Sequence, residues 1–206
     1  MFNMQVTDYD RWVYENEIKD FLPKEFIDFH IHSYKNTFKL TGGYNGGSTW
    51  TSLIADEMTT EQMMDCFSQY FPENKVTPLV FGSCVRDFDE TNTYVMEEGK
   101  KWGYPTLYRC SYDMDINELE KRVNEGGFLG LKPYLSYCPS YIPSKEVRIF
   151  DFLPEEQLKL ADKNGWIIML HIGRDGRLKD PVNLGQLMEI EEKYPNVKLI
   201  VAHIGR

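Results

Sequence analysis

The feature that most constrains this chain is a repeated alternation of short, apolar, β-rich runs with helix-like stretches. Six such runs occur, at residues 26–32 (FIDFHIH), 78–82 (PLVFG), 106–110 (TLYRC), 128–132 (FLGLK), 166–171 (WIIMLH) and 197–203 (VKLIVAH). Strands that recur this way with helices between them predict βα units on a parallel sheet. The 206 residues, 42% of them hydrophobic, are enough to bury the core such a sheet needs.

The intervening segments carry readable helix punctuation. Thr59 and Gln62 fit a capping box ahead of Met63, Met64, Phe67, Tyr70 and Phe71, which share one apolar face. Asp115 and Glu118 repeat the device before Leu119 and Val123, with Gly126 as the expected stop. Pro154 suits a first helical turn, Leu158 and Ala161 face inward, and Gly165 ends that helix. Asp180 and Pro181 open the last helix, which carries Leu184, Leu187 and Met188 and stops before Pro195. A further helix over residues 8–21, with Trp12 and Ile18 apolar, precedes the first strand and is expected to cover the barrel's flank or bottom.

Composition narrows the function. With 23 basic and 32 acidic residues the net charge is −9, which argues against nucleic acid or an anionic membrane as the main partner. No apolar run is long enough to span a bilayer, and the N-terminus lacks a secretory pattern, so a cytoplasmic protein is expected. Cys66, Cys84, Cys110 and Cys138 form no CxxC pair and read as reduced thiols. Two long loops stand out, 33–58 with TGGYNGGSTW and 133–153 with three prolines. The first has no phosphate-cradling glycine pattern and reads as a lid over the strand ends.

All four histidines fall at the C-terminal ends of predicted strands. His30 and His32 are two apart on the first run, and strand alternation puts them on one face with Asp28. His171 ends the fifth run and His203 the sixth. Closing the sheet into a barrel would gather the imidazoles at the rim where parallel α/β proteins do chemistry. Neutral imidazoles suit zinc, iron or manganese, and three of them leave an open position for a water.

The stretches DFHIHS (28–33), GLKPY (130–134), IIMLHIG (167–173) and PNVKLIVAHIGR (195–206) resemble the amidohydrolase superfamily, in particular its aminocarboxymuconate-semialdehyde decarboxylase-like branch. The resemblance implies a TIM (β/α)8-type barrel from about residue 26 onward, with residues 1–25 as a helical extension and only about six of the eight βα units in this chain. It implies one divalent metal, zinc before manganese or iron, held by His30, His32 and His171, with His203 as a proton-transfer or electrophilic group. Lys132 falls where binuclear relatives carry a bridging carboxylated lysine; a single metal with Lys132 as a substrate or water contact is the favoured reading. The expected activity is metal-dependent hydrolysis or decarboxylation of a small carboxylated, aromatic-compatible substrate. At about 35 residues per unit an eighth strand would fall at about position 270, so the reading frame is expected to continue to an aspartate ending that strand.

Arg86, Arg109, Arg174 and Arg206 follow strand ends and could take a substrate carboxylate in bidentate fashion, with Arg174 the first choice. Tyr134 and Tyr137, with Tyr44 and Trp50 in the first loop, offer faces for an aromatic ring, and Tyr134 is taken as substrate-binding. Asp28 is a candidate to support a histidine ring. Two rival readings stand: a DxHxH-type phosphoesterase, which DFHIHS satisfies, and a non-catalytic metal-binding module. The expected partners are a small-molecule substrate and, in an oligomer, further copies of the chain.

Overall fold

A computed structural model describes residues 4–40 and 54–205. The loop segment TGGYNGGSTW, with Tyr44 and Trp50, and Arg206 lie outside the described residues. The chain divides into two compact units, Met1–Pro105 and Thr106–Arg206. All six predicted strands are present and every named pairing is parallel. No helix among the described residues is long and apolar enough to cross a membrane.

In the first unit, helix α1 (Asp8–Val13) continues as a π turn over Tyr14–Ile18 and leads to strand β1 (Glu25–His32). Thr7 caps α1 reciprocally with Asp10. Trp12 is exposed, and the residue that anchors this segment is Tyr14, buried against Phe71 with its hydroxyl donating to Asn74 Oδ1 at 2.8 Å. The π turn shifts the helical phase, which the assumption of a uniform 3.6-residue period over 8–21 missed. Helix α2 (Thr60–Tyr70) has the predicted Thr59–Gln62 capping box. Strand β2 (Lys75–Phe81) then pairs with β1, and α3 (Phe88–Trp102) follows, capped by Asp87. The first loop is tied at its base, where Tyr34 and Met58 exchange backbone bonds of 2.8 and 3.0 Å.

The second unit is a four-stranded sheet ordered β3 (Tyr108–Cys110), β4 (Gly130–Pro133), β5 (Ile167–Leu170) and β6 (Lys198–Val201). Helix α4 (Ile116–Gly126) joins β3 to β4. Asp115 accepts from the Asn117 and Glu118 amides, but Glu118 turns to Arg122 at 2.8 Å instead of closing a capping box. The left-handed stop is Gly127, one residue later than expected. Between β4 and β5 lie α5 (Ile149–Phe152) and α6 (Glu155–Asn164), the latter ended by Gly165 as predicted. Val147, Ile149, Phe152 and Leu153 are buried, so this half of the 133–153 segment is core. Helix α7 (Pro181–Lys193) opens on Asp180 as expected, and Leu187 is buried while Leu184 and Met188 face outward.

One contact fixes the middle of this sheet. Gly130 has φ +154°, and a Cβ there would lie 1.9 Å from the Ile167 carbonyl oxygen. Only glycine lets β4 approach β5 this closely, and the approach delivers Lys132 to its position two residues on.

Candidate active site

The first unit contributes a histidine pair on a bulged strand. The β1–β2 register runs Asp28↔Pro78 and then Ile31↔Val80, so Phe29 and His30 oppose one residue, Leu79. Pro78 has no amide hydrogen to give the ladder, and the His30 amide donates to Asp28 Oδ1 at 3.0 Å. Asp28 therefore supports the main chain of His30, where sequence alternation suggested support for a ring. The alternation still holds as far as the bulge: Ile27 and Phe29 are exposed while Asp28 and His30 are not. The rings of His30 and His32 lie 5.6 Å apart, both edge-on to the buried ring of Phe81.

His32 has its ring fixed from β2. Its Nδ1 lies 3.0 Å from the Gly82 carbonyl oxygen. A carbonyl only accepts, so Nδ1 carries the proton and Nε2 keeps the lone pair. That is the tautomer and orientation of an imidazole that ligates a metal through Nε2.

The second unit places its histidines just past the strand ends. His171 follows β5 directly, and His203 lies in the turn Ala202–Gly205 after β6. β5 and β6 are neighbours in register, and the two Nε2 atoms come within 2.9 Å. His203, Ile204 and Gly205 all have positive φ, at 52°, 57° and 72°. A left-handed β-branched Ile204 is a rare, strained conformation, and here it turns the chain back so that His203 faces His171.

Lys132 reaches the same pair from β4. It is fully buried, with Nζ 2.9 Å from Nδ1 of His171, 3.4 Å from the Met169 carbonyl oxygen and 4.2 Å from the Tyr134 ring centre. With the ammonium donating to Nδ1, the remaining proton of a neutral His171 sits on Nε2 and is directed at His203 Nε2. Lys132, His171 and His203 then form one hydrogen-bonded relay. Tyr134, almost fully buried, stacks on His171 at 5.5 Å and 26°.

Of the four arginines, Arg174 pairs with Asp180 at 2.8 Å and Arg86 donates to the Asn36 and Phe38 carbonyls. Arg109 is fully buried on β3, in register with Lys132, with its guanidinium carbon 5.4 Å from the Tyr137 ring centre. Burial pushes the thiols of Cys66 and Cys138 up, and that of Cys110 to about 12, so none of the three is an activated nucleophile. The Gly82 carbonyl is the feature of the site that sequence reasoning missed, because a backbone acceptor carries no residue signature.

Parallel strands joined by helices, with histidines and a buried lysine at or just past their C-terminal ends, define an α/β protein of repeated βα units. The sequence model of the amidohydrolase family matches residues 27–206, and the chain belongs to that family. Three solved structures are similar in fold. One is a probable 2-pyrone-4,6-dicarboxylic acid hydrolase of Acinetobacter baumannii with citric acid bound, 15% identical, with TM-score 0.59 over 87% of this chain and 58% of that one. The second is a protein of Agrobacterium tumefaciens, 12% identical, with TM-score 0.54 over 86% and 68%. The third is 4-oxalomesaconate hydratase of Rhodopseudomonas palustris, 16% identical, with TM-score 0.50 over 70% and 48%. The fold is thus the amidohydrolase TIM-barrel type, with six parallel strands among the described residues, and the chain spans under two thirds of the length of the first of these structures. No curated protein matches the sequence.

Proposed function

We propose that this protein is a metal-dependent hydrolase or lyase acting on a small carboxylated, aromatic-compatible substrate, with one divalent ion held by His30, His32 and His171. The observation that carries the reading is the His171–His203 pair, whose Nε2 atoms meet at 2.9 Å beyond neighbouring strands. The His32 ring supports it, since its Nδ1 contact with Gly82 leaves Nε2 as the ligating atom. Two similar structures bear on the substrate class, one a probable 2-pyrone-4,6-dicarboxylic acid hydrolase and one a 4-oxalomesaconate hydratase.

A divalent ion bound by neutral imidazoles supplies Lewis acidity, lowering the pKa of a water or polarising a carbonyl, and zinc is the first choice for such a donor set. The chain's own residues do the rest. On ion binding His171 would exchange its contact with His203 for the metal, and His203 would trade a proton at its Nε2 with the reacting group. Tyr134, stacked on His171, holds that ring in plane and offers its edge to a substrate ring. Arg174 takes a substrate carboxylate when it leaves Asp180. Hydrolysis and decarboxylation would draw on these same residues.

The test is metal content and activity together. Purified protein reloaded with zinc or manganese is expected to hold about one ion per chain, and His30→Ala and His171→Ala are expected to lose it. Aromatic dicarboxylates are then assayed beside p-nitrophenyl phosphate. A wild-type chain that takes up no stoichiometric divalent ion sinks the reading; activity on the phosphate ester alone replaces it with a phosphoesterase.

A further inference from the structure

Resting on the proposed carboxylated substrate, we propose that Asp180 is a specificity-determining residue: it is the chain's own carboxylate seated on Arg174, and a substrate carboxylate binds there by displacing it. Arg174 lies three residues beyond His171, on the turn between β5 and α7. Its Nε is 2.8 Å from Asp180 Oδ2, yet the buried Nε–H is not aligned on an acceptor, so the contact is an ion pair without a good hydrogen bond. The two oxygens of Asp180 are divided between two tasks. Oδ2 faces Arg174, while Oδ1 accepts from the Val182 amide at 2.9 Å and caps α7. An external carboxylate has both coplanar oxygens to give and matches the planar fork of a guanidinium better than Asp180 does.

The turn that carries Arg174 is fixed from both sides. Fully buried Asn183 donates from Nδ2 to the carbonyls of Gly173 and Arg177, each at 2.9 Å, and Arg174 Nη1 donates to the Glu146 carbonyl at 3.3 Å. Within it Arg174 and Arg177 hold φ of +63° and +51°, a left-handed conformation that is uncommon for residues with a side chain and persists only where the surroundings impose it. The main chain therefore stays in place and the exchange involves side chains alone. Both members of the pair are partly exposed, and such pairs are weak. When Arg174 is taken, Asp180 keeps its bond to Val182 and the helix N-terminus, which favours its negative charge. The guanidinium holds the Asp180 carboxyl below the usual carboxylate range, so the resident competitor is ionised at any working pH. A neutral analogue of the substrate cannot displace it, and selection for acids follows.

The probe is isophthalate, titrated by calorimetry with and without added zinc, beside its uncharged dimethyl ester. Asparagine at 180 still accepts from Val182 and keeps the cap, but offers Arg174 no charge. Asp180→Asn is expected to bind isophthalate about fivefold more tightly than wild type and to bind the ester no better. Arg174→Gln is expected to lose about tenfold, and in that background Asp180→Asn is expected to change nothing. Asp175→Asn removes the same charge from an exposed pair with Lys145 on the same turn and is expected to bind as wild type does. Circular dichroism checks each fold, with Asp180→Ser, another capping residue, deciding if Asp180→Asn does not fold. Unchanged or weaker binding by Asp180→Asn, the same gain in the double variant, or an equal gain in Asp175→Asn overturns the proposal. Isophthalate binding that survives Arg174→Gln overturns it and leaves the carboxylated-substrate reading standing. No isophthalate binding by any of these proteins, with or without zinc, removes both.

Discussion

At the scale of single residues, the candidate site depends on backbone positions as much as on the histidines. The carbonyl of Gly82 fixes the His32 ring, and a Cβ on residue 82 would lie 2.6 Å from Thr91 Cβ and 2.9 Å from Thr91 Oγ1. Thr91 is buried and its hydroxyl is bonded to the Asp87 carbonyl at 2.6 Å, so it does not yield easily. Gly82→Ala is therefore expected to displace the carbonyl and weaken zinc binding by about 10- to 100-fold, read by chelator competition, with the fold retained. A second substitution acts on His203. Gly205 has φ +72°, and a Cβ there would lie 2.2 Å from Leu178 side-chain carbons. Gly205→Ala is expected to cut turnover of the aromatic acid at least tenfold through His203, while a Leu178→Ala, Gly205→Ala pair recovers part of it by removing the clash. The histidines and Lys132 were legible because they are rare, chemically specific side chains at strand ends. The groups that orient them were not, because a carbonyl or a left-handed φ leaves no distinctive letter.

At the scale of elements, punctuation read from the sequence was reliable where one side chain decides the outcome. Thr59, Asp180 and Gly165 cap or stop helices where expected, since each satisfies end groups by itself. Reading failed where tertiary context chooses. Glu118 turned to Arg122, the N-terminal segment shifted into a π turn to bury Tyr14, and the β1 bulge arose opposite Leu79, just past Pro78. The start of α2 also carries a testable device. The Thr60 hydroxyl lies 3.0 Å from the Tyr104 hydroxyl, and its amide donates to the Tyr94 hydroxyl at 3.1 Å, all in a buried setting. Burial pushes Tyr104 up from 10.0 to about 12. The folded state therefore favours the neutral phenol. Its contribution is complete below about pH 10 and is lost as pH rises through 12, a change of about 2–3 kcal/mol. Urea unfolding midpoints are expected to drop steeply over that window in the wild type. Tyr104→Phe should show a shallower drop, at a cost near neutral pH of about 1 kcal/mol for the lost hydrogen bond.

At the scale of the whole molecule, the two units differ in how much sheet their described residues hold, two strands against four. The exposed apolar side chains include Ile27 and Phe29 on β1, Leu184 and Met188 on α7, and Ile204 beyond β6. The alternation of six strands with helices was legible throughout, because period and length distinguish the two element types. The division into two units was not, because it depends on contacts distant in sequence. Stability is the property of the whole chain that the proposed metal alters. An ion that binds only the folded form adds RT ln(1 + [ion]/Kd), about 4 kcal/mol at a thousandfold excess over Kd. For a chain of this size each kcal/mol moves the melting temperature by about 2–4 °C. Zinc at that excess is thus expected to raise the melting temperature by about 10 °C, followed by calorimetry at matched ionic strength. In His171→Ala the increment should collapse, whereas in Lys145→Gln, a change at an exposed cation paired with Asp175, it should persist. An equal zinc response in wild type and His171→Ala would place the bound ion elsewhere, among the acidic residues of a chain with 32 of them.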